Sequence, residues 1–225
     1  MSNKILDEFE TSVTDTKIIA HNGGSWRNVI PNSSEAFQKS IDVGADGIQL
    51  DLEILGNEII CSVSGLALDK ALGSISEDII LVARLEEIGY ADKLSEALEG
   101  RNWQIVSFRE EVLMEYSSCQ ERVGLMLGNP FTKDLSWKEN LRDLKEDLFP
   151  KQKVLDAKIE KIIVADSLAR FGALSRTYKR INHSIWGAND HKSIRKYLLD
   201  SRVQEIHTDY PAVAVEIRDE LSNAL

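Results

Sequence analysis

Short apolar runs alternate with stretches of helical periodicity along this chain. The first run, at 17–20, ends at His21, where an Asn-Gly-Gly turn lets the backbone reverse sharply without a side chain that would obstruct a ligand. A helix is expected next, because Ser33 or Ser34 can cap it and Gly44 can close it. The pattern therefore predicts a strand, a loop and a helix in that order.

A second strand is expected at once, over 47–53. Its polar residues Gln49, Asp51 and Glu53 alternate with apolar neighbours, so one face of the strand is polar. If the first two strands are parallel neighbours, His21 lies close to Asp51. Both then lie at the strand ends where α/β barrels and open sheets place their chemistry.

The same alternation continues to the C-terminal end. Further strands are expected at 58–63, where a Gly-Asn turn makes a hairpin, and at 78–84, 103–108, 122–127, 160–165, 184–187 and 205–208. Further helices are expected at 66–73, 91–99, 110–116, 137–148, 167–180 and 192–199, with a last one beginning after Pro211. This order predicts an α/β protein, a single (β/α)8 TIM barrel domain at 1–225, with the barrel proper at about 17–223 and a capping helix at about 3–13 over its bottom.

Composition narrows the function classes. The 225 residues are 43% apolar, enough for one substantial core, and the net charge of −10 argues against a nucleic-acid or anionic-membrane surface. The chain has no apolar run long enough to span a membrane and no signal-like N-terminal segment, so a cytoplasmic protein is expected. Cys61 and Cys119 are too few for a disulfide framework and are expected to be reduced thiols.

Five short motifs accompany the predicted strands. They are HNGG at 21–24, PNSS at 31–34, GADGIQLD at 44–51, SIWGAN at 184–189 and HTDYP at 207–211. They resemble motifs of the glycerophosphodiester phosphodiesterase family, which has HRGG, PEN followed by Ser or Thr, GAD-x-IE-x-D, a strand ending in WTVN, and ITDYP. The resemblance implies a TIM barrel whose mouth hydrolyses phosphoric diesters in lipid and glycerol-phosphate metabolism. It also implies two catalytic histidines, a phosphate-gripping arginine and a Mg²⁺ or Ca²⁺ ion held by carboxylates.

Most of the reacting groups that the resemblance implies are replaced. His21 retains the position of the first histidine, but the adjacent arginine is Asn22, which cannot make a bidentate contact with phosphate. Ser62 stands at the position of the second histidine, and a hydroxyl cannot replace an imidazole near neutral pH. The family's insertion after this position, which shapes the substrate mouth, is reduced here.

The expected metal ligands are also depleted. Asn32 stands where the family has the glutamate of its PEN motif, and Gln49 replaces a second metal-binding glutamate, while Asp51 remains. Asp51 alone would hold Mg²⁺ or Ca²⁺ only weakly. Glu53, two residues further on, could contribute a second carboxylate if it faces the same mouth.

Other candidate residues allow a functional or a structural interpretation. Val82 aligns with a further glutamate of the family and Arg84 with its lysine. A cation pointing into a barrel needs Asp51 or an incoming anion as its partner, whereas a strand assignment shifted by one residue would place Arg84 outside the barrel. Trp186 is expected either to form a ligand wall or to pack in the core. Asp209 is expected to cap the last helix. Three further histidines lack a metal-ligand spacing and are expected at the surface: His183, His191 and His207.

The resulting hypothesis is a phosphodiesterase-like protein that is catalytically impaired or inactive. It would bind a phosphate-bearing or polyol small molecule through His21, Asn22, Asp51 and Arg84, with Trp186 beside them. One alternative is an altered but active phosphodiesterase that uses His21 as its sole acid–base group, with a cation on Asp51 and Glu53. Another is a scaffold whose surface binds a protein partner that the sequence does not identify.

Overall fold

The computed structural model describes residues 15–116, 122–127, 161–166 and 181–224, together with Phe171 and Ser175. In this part of the chain the strands are β1 Lys17–His21, β2 Gly47–Leu55, β3 Glu58–Cys61, β4 Ile80–Arg84, β5 Trp103–Ser107, β6 Val123–Leu127, β7 Lys161–Ala165, β8 Asn182–Trp186 and β9 Val203–Thr208. The helices are α1 Ser34–Asp42, α2 Leu68–Gly73, α3 Ala91–Ala97, α4 Glu110–Glu115, α5 His191–Leu198 and α6 Pro211–Asn223.

All strands except β3 run parallel to their neighbours, and they close into a barrel because β1 pairs with both β2 and β9. Going round the barrel from β1, the order is β9, β8, β7, β6, β5, β4 and β2. The short strand β3 is antiparallel to the outer end of β2 and forms the expected hairpin with it. The predicted (β/α)8 barrel is therefore confirmed, whereas the extent of the domain at 1–225 stays a prediction.

Local sequence signals set the helix ends. Ser33 is the N-cap of α1, and its hydroxyl accepts a hydrogen bond from the backbone N–H of Ala36 at 3.4 Å. Asp190 caps α5 in the same way, and Pro211 occupies the first turn of α6 as predicted. Every predicted strand and helix that falls in the described residues matches to within two residues at each end.

Two layers of apolar packing hold the barrel. Outward-facing strand residues pack against the helices, and inward-facing residues fill the barrel itself. The members of the interior cluster are Ile19, Val82, Val106, Met126, Ile163, Ala165 and Trp186. At the C-terminal ends of β1, β2 and β4 the polar side chains of His21, Asp51 and Arg84 meet, and this part of the barrel edge forms the mouth.

Several predictions fall outside the described residues: the helices at 3–13 and 137–148, most of the helix at 167–180, and Cys119. Cys61 is a buried, free thiol, and burial together with the charge of Asp51 raises its pKa to about 12. Only six residues, 62–67, join β3 to α2, as expected for a reduced insertion. In the part of the chain that the structure describes, no helix is both long and apolar enough to cross a membrane.

Candidate functional site

Four strands that are neighbours around the barrel bring a polar cluster together at the mouth. His21 ends β1, Asp51 lies in β2, Arg84 ends β4, and Asp209 directly follows β9. The strand register pairs Asp51 with Arg84 and aligns His21 with the residue two before Asp51. The expectation that His21 meets Asp51 is confirmed, because the His21 Nε2 and Asp51 Oδ2 atoms are 3.3 Å apart.

His21 lies between two carboxylates. Its Nδ1 is 2.7 Å from Oδ1 of Asp209, while its Nε2 faces Asp51. Burial alone would lower the pKa of His21, but the hydrogen bonds and negative charges of Asp209 and Asp51 outweigh burial and raise this pKa from 6.5 to about 9. His21 is therefore an imidazolium at neutral pH, with both ring N–H groups directed at carboxylates.

The turn after His21 depends on glycine. Gly23 has a φ of +72°, and a Cβ at this position would lie 2.8 Å from Phe37 Cδ1 and 2.9 Å from Ala36 Cβ in α1. A side chain at this position would clash with α1, so glycine is required for α1 to pack against the end of β1. The turn-forming role predicted for the Asn-Gly-Gly sequence is consistent with this geometry.

Protein donors surround the carboxylate of Asp51. Its Oδ1 accepts a hydrogen bond from Gln49 Nε2 at 2.9 Å, and its Oδ2 accepts from Arg84 Nη1 at 2.9 Å and Asn22 Nδ2 at 3.1 Å, besides facing His21. Burial alone would raise the pKa of Asp51, but His21, then Arg84 and Gln49, outweigh it and lower the pKa to about 2. The carboxylate is ionised and already satisfied.

Arg84 occupies the mouth as a fixed cation. Besides Asp51, it donates from Nε to Glu86 Oε1 at 3.3 Å, and its guanidinium carbon lies 5.5 Å from the centre of the Phe108 ring. Glu86 is itself held by the Ser107 hydroxyl at 2.7 Å. The Nη2 group of Arg84 makes no hydrogen bond with any described residue, and 26% of the side chain is exposed. The expected partner, Asp51, is confirmed, whereas the role of Glu86 was not predicted.

The asparagines at the replaced positions serve the structure of the loops. Asn22 donates to Asp51, and its Oδ1 accepts from the backbone N–H of Asp51 at 3.2 Å. Asn32 is fully buried and donates from Nδ2 to the carbonyl oxygens of Asp51 at 2.6 Å and Ser62 at 3.3 Å. Asn32 thus ties the loop after β1 to the hairpin. Among the described residues its Oδ1 has no hydrogen-bond partner.

A buried polar chain continues from Gln49 into the barrel. Gln49 Oε1 is 2.8 Å from Nδ1 of His207, whose Nε2 is 3.3 Å from Glu205, and Glu205 forms a buried ion pair with Lys161. Burial lowers the pKa of His207, while the charge of Lys161 keeps the pKa of Glu205 low despite its burial. Because Gln49 accepts from His207, its amide N–H group is directed at Asp51.

Two of the other three histidines do not lie at the surface, where they were expected. His207 and His183 are buried, not at the surface, since both lie within strands of the closed barrel. His191, at the start of α5, is exposed as expected. Asp209 also corrects an expectation: the N-cap of α6 is Tyr210, without a side-chain cap, and Asp209 binds His21 instead. Asp209 also accepts a hydrogen bond from Asn189.

Trp186 reaches the mouth from the interior cluster. It is 8% exposed, and its ring meets those of His21 and Phe108 edge-on, with centroid distances of 6.0 and 5.9 Å. It therefore packs in the core and also borders the mouth. Its indole N–H has no hydrogen-bond acceptor among the described residues.

The residues present do not fit Mg²⁺ or Ca²⁺. These ions need several oxygen ligands, but Asp51 is already paired with Arg84 and His21, and Gln49 presents its N–H group. Glu53 is exposed on the hairpin, two residues beyond Asp51. Within the described ranges, no group of three or more His, Cys, Asp or Glu side chains is arranged to hold a metal ion.

Comparisons with solved structures identify the fold. The chain is similar to a glycerophosphodiester phosphodiesterase from Thermotoga maritima, with a TM-score of 0.66, 17% identity, and coverage of 90% of this chain and 98% of that one. A glycerophosphodiester phosphodiesterase from Parabacteroides distasonis gives a TM-score of 0.65 at 15% identity, covering 92% of this chain and 98% of that one. A phosphodiesterase from Oleispira antarctica, solved in complex with the product sn-glycerol-3-phosphate, gives 0.64 at 12% identity, covering 93% and 100%.

No family model matches this chain, and no curated protein matches it. At these low identities the solved structures establish the architecture of the chain, over nearly its whole length and nearly the whole length of each neighbour. The motifs at the strand ends agree with the same architecture. The protein is a TIM barrel with the fold of solved glycerophosphodiester phosphodiesterases.

Proposed function

We propose that this protein binds a phosphate-bearing small molecule at the barrel mouth without hydrolysing it. The observation that carries the proposal is the contact between Arg84 and Asp51, at 2.9 Å, which places a guanidinium where the resemblance implies a divalent cation. A guanidinium neutralises an oxyanion but generates no metal-bound hydroxide. The proposed function therefore includes binding of a phosphate group but not hydrolysis of a phosphoric diester.

The protonation of His21 supports the absence of hydrolysis. With a pKa of about 9, only about one molecule in a hundred carries a neutral His21 at pH 7. A general base must accept a proton near the operating pH, so His21 is poorly matched to that task. Ser62 stands at the position of the second histidine, and its carbonyl oxygen and hydroxyl accept hydrogen bonds from Nδ2 of Asn32. It provides no acid–base group near neutral pH.

Unused donors support anion binding. The Nη2 group of Arg84 and the indole N–H of Trp186 lack acceptors among the described residues; the Arg84 side chain is partly exposed at the mouth, whereas the indole N–H is buried beneath it. A phosphate has several strong acceptor oxygens, and burying the indole donor without a partner costs free energy that such an oxygen would recover. Because Asp51, Asp209 and Glu86 offset the positive charge, we expect a Kd of about 0.1–1 mM for a minimal ligand.

The Oleispira antarctica neighbour suggests the first ligand to test, since it was solved with sn-glycerol-3-phosphate. This ligand combines a phosphate for Arg84 with hydroxyls for the surrounding amides. Its binding would be measured by isothermal titration calorimetry and by chemical-shift changes of the Trp186 indole. Arg84→Ala and Trp186→Phe should each weaken binding several-fold, while Arg195→Ala, which removes an exposed arginine on α5, should leave it unchanged.

Activity is tested separately. Purified protein is assayed with glycerophosphodiesters and with bis-p-nitrophenyl phosphate, with and without Mg²⁺, Ca²⁺ or Mn²⁺. We expect no turnover above buffer. A metal-dependent signal abolished by His21→Ala would refute the proposal and favour the altered phosphodiesterase with a cation on Asp51 and Glu53. An absence of both turnover and ligand binding would favour a protein-binding scaffold.

A further inference from the structure

In the part of the chain that the structure describes, large apolar side chains are exposed mainly at the mouth. Among the described residues, seven large hydrophobic side chains are exposed, and five of them lie in loops or strand ends on the C-terminal side of the barrel. These five form what we call the apolar rim: Ile30, Leu55, Val63, Ile88 and Tyr210, each at least 45% exposed. The other two, Met114 and Leu199, belong to α4 and to the end of α5.

The apolar rim follows the same strands as the polar cluster. Ile30 lies in the loop after β1, Leu55 ends β2, and Val63 follows the hairpin strand β3. Ile88 follows β4, and Tyr210 comes directly after Asp209 at the end of β9. Strands β9, β1, β2 and β4 are consecutive around the barrel and carry the polar cluster on their inner faces. The rim therefore borders the side of the mouth where His21 and Arg84 lie.

The backbone of Val63 has a conformation that valine disfavours. Its φ is +68°, which for a β-branched residue is a genuine outlier, and its side chain is 73% exposed. Hydrogen bonds on both sides hold this backbone: Ser64 donates to the carbonyl of Asn32 at 2.6 Å, and Asn32 donates to the carbonyl of Ser62. The fold thus enforces a strained conformation that directs an apolar side chain into solvent at the rim.

We propose that the ligand is a phosphate monoester of a hydrocarbon chain, bound as a single molecule with its phosphate at Arg84 and its chain along the apolar rim. This inference rests on the proposed function. The Nη2 group of Arg84, which makes no hydrogen bond with any described residue, offers the anionic head a charged donor, and the exposed rim side chains on the neighbouring loops offer apolar surface that a hydrocarbon would cover. The net charge of −10 and the exposed Glu53 disfavour an anionic bilayer as the occupant.

The test compares chain lengths. Binding of inorganic phosphate, butyl phosphate and octyl phosphate, each below its aggregation concentration, is measured by isothermal titration calorimetry. A fully buried methylene improves affinity about fourfold, and one covered on a single side about twofold. The four additional methylenes of octyl phosphate should therefore tighten binding about tenfold or more relative to butyl phosphate. Equal affinities for the two esters would overturn the inference while leaving phosphate binding, and so the proposed function, intact.

Val63→Asn separates ligand contact from folding. Asparagine tolerates positive φ better than valine, so this variant should unfold at higher denaturant concentration and yet lose several-fold in affinity for octyl phosphate, with butyl phosphate little changed. Leu199→Asn, on an exposed apolar residue away from the mouth, is the matched control and should change neither affinity. Ile88→Ser is a second rim variant with the same expected loss. Unchanged octyl phosphate binding in both rim variants would contradict the inference.

Two further outcomes are decisive. Vesicles of phosphatidylcholine containing phosphatidic acid are offered at the same phosphate concentration. Binding to vesicles without binding to octyl phosphate would replace the single-molecule ligand with a membrane surface. If neither inorganic phosphate nor any ester binds, the proposed function fails and this inference fails with it.

Discussion

Raising the pH from 6.5 to 9 is expected to destabilise this protein through one side chain, His21. The pKa of His21 is about 9 in the folded protein and 6.5 as an ordinary histidine, so the folded state binds the proton more tightly than the unfolded state. This contribution to stability is fully present below pH 6.5 and is lost as the pH rises through 9. The difference between about 9 and 6.5 corresponds to about 3 kcal/mol of unfolding free energy.

The structural source of this contribution is the pair of carboxylates that His21 contacts. Deprotonation removes the favourable charge facing Asp51 and leaves one ring nitrogen without a proton to donate to Asp51 or Asp209. On the acid side, the lowered pKa of Asp51 makes its contribution present above about pH 4 and lost as the pH falls through about 2. The two shifts report largely the same ion pair and are not additive.

The assay is urea denaturation at pH 6, 7, 8 and 9, with the pH dependence of the wild-type protein compared with that of His21→Asn. Groups that titrate in both proteins cancel in the comparison, so the difference isolates His21. We expect the wild type to lose about 3 kcal/mol over this interval relative to the variant. His191→Asn, at the exposed histidine of α5, is the control and should follow the wild type.

A wild-type curve parallel to that of His21→Asn would refute this account of the mouth. It would mean that the imidazolium gains nothing from its two carboxylates, and the argument that His21 is protonated at neutral pH would fail as well. A direct check is the NMR titration of the His21 ring protons, whose midpoint should lie near pH 9.

Three further predictions test the packing and the charges. Gly47→Ala should destabilise the barrel by about 1–3 kcal/mol in urea denaturation, because the new Cβ would lie 2.6 Å from a side-chain atom of the neighbouring strand. Lys161→Met should cost about 3–5 kcal/mol by leaving Glu205 buried and unpaired, and adding Glu205→Gln should restore much of that loss. The double change Gln49→Glu with Arg84→Ser should create Ca²⁺-dependent thermal stabilisation that the wild type lacks, because it adds a carboxylate and removes the competing cation; equal Ca²⁺ stabilisation of both proteins would contradict this.

The part of the site that the sequence predicts depends on strand direction. His21 and Asp51 end neighbouring runs of an alternating pattern, and parallel strands place their carboxyl ends together, so the contact could be expected. Arg84 could be expected in the same way, since it ends the next strand and needs a negative partner. These contacts can be expected without knowing how strands from distant parts of the chain pair.

Asp209 shows what the sequence does not reveal. An aspartate two residues before a helix-starting proline has the appearance of a helix cap, and its role at His21 depends on β9 closing the barrel against β1. His207 escaped prediction for a similar reason: it lies in the last strand, and its partner Gln49 is 158 positions earlier in the chain. Barrel closure, which joins the two ends of the chain, is the information that local patterns lack.

The replacements at the mouth are physically consistent with one another. Two unit charges 4 Å apart interact with about 4 kcal/mol at an effective dielectric constant of 20, and a divalent ion doubles this value. Arg84 and a divalent cation would therefore repel each other strongly if both bound Asp51. With the arginine in place, additional carboxylates at positions 32 and 49 would have no metal to bind and would repel Asp51. Neutral Asn32 and Gln49 instead donate hydrogen bonds to the backbone and carboxylate of Asp51, so the polar groups of the mouth are organised around the guanidinium of Arg84.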